Sequence, residues 1–76
     1  MDINEFIEIF IEIFDDTDLS AIKPDTKFRD LNEWSSLSVL ALISLTESEF
    51  AVKLKPEEIK NADTITDIFQ IIREKQ

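Results

Sequence analysis

Not one of the 76 residues is glycine. Glycine enters left-handed backbone conformations without steric cost, and the loops that cradle phosphate groups are built on it. A chain without it has no P-loop and no dinucleotide-binding fingerprint. Its turns have to come from Pro24, Pro56 and short polar residues. Cysteine and histidine are absent as well. Disulfide frameworks, thiolate or imidazole metal sites, and Ser-His or Cys-His catalysis are excluded with them. Stability has to rest on apolar packing.

At this length one domain over 1–76 is expected, too small to enclose a deep pocket. Eight basic residues against 17 acidic ones give a net charge of −9, which repels phosphate backbones and argues against a nucleic-acid partner. A hydrophobic fraction of 43% is globular rather than disordered composition. No apolar run reaches the roughly 18 residues of a bilayer span. The acidic start Met1-Asp2-Ile3-Asn4-Glu5 lacks the positive region of a signal peptide. The expectation is a cytoplasmic monomer with no membrane span.

Periodicity predicts helices. In the first segment Ile7, Ile9, Ile11 and Ile13 alternate as a strand would. Glu5, Glu8 and Glu12, however, share one helical stripe opposite Ile3, Phe6, Ile9, Phe10 and Ile13, and Asp2 with Glu5 has the spacing of an N-terminal cap. A helix over 3–14 follows. The polar stretch 15–35 is a long loop with Leu19, Ile22, Phe28, Leu31 and Trp34 available as anchors. A second helix over 36–50, capped by Ser35 or Ser36, turns Val39, Leu42, Ile43, Thr46 and Phe50 toward the core. Pro56, with Glu57 and Glu58 behind it, opens a short helix over 56–61 anchored by Ile59. A last helix over 64–74, opened by Asp63 or Thr64 with Asp67, buries Ile65, Ile68, Phe69 and Ile72. The class is all-α: three main helices, one short helix and a long first loop.

Candidate chemistry is sparse. Glu8 with Glu12, or Glu57 with Glu58, are carboxylate pairs, but each sits on a solvated face or in a first helical turn. The Asp15, Asp16, Asp18 cluster fails as a calcium loop, because Ala21 stands where glycine is needed and Lys27 where the bidentate glutamate belongs. The second helix is more specific. Its far face is Leu37, Ala41, Ser44 and Ser48, flanked by Leu40 and Glu47, where an ordinary amphipathic helix carries charges. Such a strip is either buried in the bundle or a docking face.

Phe28-Arg29-Asp30-Leu31-Asn32-Glu33-Trp34-Ser35-Ser36-Leu37, continuing through the second helix to Glu49-Phe50, resembles the acyl carrier proteins. The resemblance extends through Val52-Lys53-Leu54-Lys55-Pro56-Glu57 to Asp63-Thr64-Ile65 and so covers most of the chain. In that family a D-S-L motif opens the second helix and its serine carries 4′-phosphopantetheine through a phosphodiester. Ser36 matches that serine and Leu37 the leucine after it. Two departures stand out: Ser35 replaces the usual aspartate, and Ser38, Ala41, Ser44 and Ser48 leave mainly Glu47 and Glu49 as carboxylates on the exposed side. The Trp34 form of the motif is similar to stand-alone carriers of specialised bacterial biosynthesis.

The resemblance implies a small acyl-carrier-like bundle that is not an enzyme. It would hold acyl groups as thioesters on a phosphopantetheine arm at Ser36. Its partners would be a phosphopantetheinyl transferase and acyl-loading and acyl-transferring enzymes, docking on Leu37, Leu40, Ala41, Ser44, Glu47 and Ser48. A helix start favours a phosphodiester through its free amides and dipole, and Glu47 and Glu49 would steer basic partners. The alternative is a carrier-fold interaction module that is never modified. A small hydrolase would need a base near Ser36, and none is evident.

Overall fold

The Asp2 carboxylate accepts the Glu5 N–H at 3.0 Å and so opens α1 (Ile3–Ile11) as an N-cap. This bond, with Glu5, Glu8 and Glu12 all on the wet side, is what decides helix over strand in the first segment. The computed structural model describes residues 2–13, 22–31 and 34–76. Phe14, Leu19 and the Asp15, Asp16, Asp18 cluster lie outside those residues. Within them α1 ends earlier than the expected 3–14, closing through Glu12 and Ile13, whose N–H groups reach back to the Ile9 and Phe10 carbonyls at 3.1 Å. Its buried stripe is Phe6, Ile7 and Phe10, with Ile3, Ile9 and Ile13 only partly covered. Ile7 is buried where Ile9 is expected to be, and Ile22 of the following loop belongs to the same buried cluster.

The loop is tied down by the last helix. Four N–H groups at a helix start lack partners inside the helix, and in α4 (Ile65–Lys75) each of the first four has one. The Ile65 and Thr66 N–H groups donate to the loop carbonyls of Thr26 and Pro24 at 3.1 and 3.0 Å. The Asp67 N–H donates to the Thr64 hydroxyl at 3.2 Å, and the N–H of the cap residue Thr64 to the Asp67 carboxylate at 3.0 Å. The Thr66 hydroxyl adds a second bond to Pro24 at 2.8 Å. An isolated antiparallel bridge, Lys27 with Thr64, is the extent of β structure among the described residues. The same loop carries a single 3₁₀ turn, Phe28–Asp30, that the sequence pattern did not foretell.

The expected boundaries of α2 (Ser36–Phe50) and α3 (Pro56–Asn61) hold, with Pro56 at the first turn of α3 and Ile59 buried beneath it. Between them Ala51 is left-handed at φ 56°, a conformation usually given to glycine. It lets the Val52 N–H reach the Thr46 carbonyl at 3.3 Å and turns Val52 and Leu54 inward. At the centre Phe6 meets Phe10, Phe50 and Phe69 at ring separations of 6.0, 6.1 and 5.8 Å. Ile65, Ile68, Phe69 and Ile72 of α4 are all buried, as their spacing predicts.

Among the described residues no helix is long and apolar enough to cross a membrane.

Candidate functional site

The two adjacent serines take different positions. Ser35 has extended backbone at φ −149°, ψ 178° and is the N-cap of α2; Ser36 is the first helical residue and is exposed. The Ser35 N–H donates to the Ser38 hydroxyl at 3.1 Å, the return arm of a capping box. Ser38, expected on the exposed side of α2, is therefore a correction: it is 5% exposed and holds the helix start in place. Its S-x-x-S spacing from Ser35 was the available signal. Serine at position 35 fills the capping position, since serine and aspartate cap comparably well.

The buried stripe of α2 is Ser38, Leu42 and Thr46, while Val39, Ile43 and Phe50, also expected in the core, are half-buried. The Thr46 hydroxyl donates to the Ile43 carbonyl at 3.0 Å, which satisfies it inside its own helix. At about 100° per residue, Ser36, Leu37, Leu40, Ser44, Glu47 and Ser48 fall within an arc of about 120° on the opposite side. All six are exposed, and Ala41 is half-buried at the edge of the arc. The strip is thus outside the bundle: Leu37 is 75% and Leu40 62% exposed, the two large apolar side chains most open to solvent among the described residues. Glu47 is the one charge in the arc, and no acidic residue occupies the first turn. Beside it Ala41, Ser44 and Ser48 line a shallow open cleft of about 380 Å³ that Leu45, Glu12 and Ile13 complete.

The carboxylate pairs do not assemble a catalytic centre. Glu8, Glu12 and Glu57 are exposed. Glu58 accepts the Lys55 N–H at 2.9 Å and pairs with Lys75 at 3.2 Å. The Lys55 backbone N–H, with help from Lys75, holds its carboxyl below the ordinary range, which makes it a poorer base. Among the described residues no group of three or more metal-ligating side chains comes together.

The surface joins a hydroxyl at the open end of a helix to uncovered leucines behind it. Comparison with known proteins decides the family. Residues 4–72 match the family model described as "Phosphopantetheine attachment site". The acyl carrier protein of Myxococcus xanthus is 31% identical over 55 residues, 72% of this chain and 70% of that protein. That of Micrococcus luteus is 31% identical over 55 residues, 72% of this chain and 68% of that protein. The chain belongs to the acyl carrier protein family, and its cofactor is 4′-phosphopantetheine. The residues at the start of α2 fit such a group: an exposed hydroxyl at a helix N-terminus, with no carboxylate in that turn to oppose a phosphodiester.

Proposed function

We propose that Ser36 carries the phosphopantetheine arm and that the exposed face of α2 presents the arm's cargo to partner enzymes. The observation that carries this reading is the position of Ser36, exposed as the first residue of α2, with Leu37 and Leu40 uncovered behind it. When bound, the arm supplies a terminal thiol that holds an acyl group as a thioester, a nucleophile absent from this chain's own side chains. The protein's part is to hold and to present. The Ser35 and Ser38 cap fixes the helix start, the helix dipole favours the phosphodiester, and Leu37, Leu40 and Ala41 offer apolar area to a docking partner. Ser44, Glu47 and Ser48 supply the polar rim, and Glu47 attracts basic partner surfaces. The partners are a phosphopantetheinyl transferase and the enzymes that load and unload acyl groups.

Intact-mass spectrometry after incubation with coenzyme A and a broad-specificity phosphopantetheinyl transferase tests this. The parent and Ser35→Asp, which keeps the cap, are expected to gain one phosphopantetheine each, and Ser36→Ala none. Modified Ser36→Ala would move the site elsewhere. A folded parent that gains nothing would replace the carrier by the unmodified interaction module.

A further inference from the structure

The α3 helix is six residues long, and within it the Ala62 N–H of its C-cap reaches back to the Glu58 and Ile59 carbonyls at 3.1 and 3.2 Å. Arg29, in the 3₁₀ turn, adds further donors to this helix end from 30 residues away. Its Nη1 donates to the Ile59 and Lys60 carbonyls at 3.0 and 2.9 Å, and its Nη2 donates to the Ala62 carbonyl. A guanidinium is the one side chain with a planar fork able to span several acceptors at once, and its charge complements the negative end of the helix. The same group lies 5.1 Å above the ring of Phe28, which is fully buried. Phe28 in turn meets Trp34 at 4.8 Å, and Trp34 immediately precedes Ser35 and Ser36.

We infer that Arg29 is a positioning residue for the modification site: by fastening the 3₁₀ turn to the end of α3, it fixes Phe28 and Trp34 and through them the start of α2. This rests on the assignment of Ser36 above. Loosening α3 at a different contact, the Glu58–Lys75 pair, leaves the Arg29, Phe28, Trp34 path intact.

The test compares Arg29→Lys and Arg29→Gln with Glu58→Gln. Backbone amide NMR shifts of residues 35–38 and steady-state kinetics of phosphopantetheine loading are measured at a temperature where all are folded. Both Arg29 variants are expected to shift those amides and to lower kcat/KM for loading by about threefold or more, as misplacement of a reacting group does. Glu58→Gln is expected to do neither. Arg29→Lys serves if Arg29→Gln fails to fold, because it keeps the charge and loses the fork. Unchanged amides at 35–38 in the Arg29 variants, or equal changes in Glu58→Gln, would overturn the inference. An unloaded parent would sink the Ser36 assignment instead, while the amide comparison would still decide the role of Arg29.

Discussion

Ser35, Ser36, Thr64 and Asp67 show how much depends on single hydroxyls and carboxylates in a chain with no glycine, cysteine or histidine. Ser35 closes a helix end and leaves its neighbour Ser36 exposed. Asp67 does for α4 what Ser38 does for α2, accepting the Asp63 and Thr64 N–H groups at 2.9 and 3.0 Å. The Thr64 N–H, followed by that of Asp63, holds the Asp67 carboxyl below its ordinary value of 3.8. The folded state therefore binds its proton less tightly than the unfolded chain. The resulting stabilisation is complete above that ordinary value and is lost as the pH falls through the lower, folded value. Asp67→Asn is accordingly expected to melt below the parent near neutral pH, with the gap narrowing in acid. Melting curves of both proteins from neutral pH down into that range check it, and a gap that stayed constant would be incompatible with a capping carboxylate.

At the level of the elements, α4 and α2 show what the sequence made legible and what it did not. In α4 the Thr64 and Asp67 cap fixed where the helix starts, and a clear apolar stripe fixed which way it faced, so its four buried residues were readable. The sequence of α2 is apolar or small almost all round, and apart from the Ser35 and Ser38 spacing little in it fixed the rotation of the helix. The structure turns Ser38 inward and leaves Val39 half-covered. The Arg29 contacts were unreadable for a different reason: they join positions 30 or more residues apart, which local periodicity does not reach. The exposed strip carrying the candidate site was visible in the sequence, although whether it faced water or the core was settled only by the packing. This phase gives a prediction. Leu42→Ala, at a fully buried position, is expected to cost about 2–5 kcal/mol. Phe50→Ala, at a half-buried position against Phe6, is expected to cost less. Urea unfolding of the two variants would reverse that order if the face of α2 were misassigned.

Taken whole, the molecule carries its charge of −9 on a body with a radius of gyration of 11.1 Å. Repulsion among so many carboxylates at this spacing opposes the folded state and is screened by salt. The Glu58–Lys75 pair is screened too, but a partly exposed pair contributes little. Raising NaCl from about 20 mM to about 300 mM is therefore expected to raise Tm. A flat or falling Tm would mean that specific ion pairs outweigh the net charge. The aromatic packing has a practical consequence. Trp34 is the chain's one tryptophan and there is no tyrosine. Its ring stacks on Phe10 of α1 at 6.4 Å and tilts against Phe28 of the 3₁₀ turn, two residues before Ser36. The protein thus contains a single indole fluorophore seated beside its candidate attachment point, so its emission reports on the surroundings of that point without any added label.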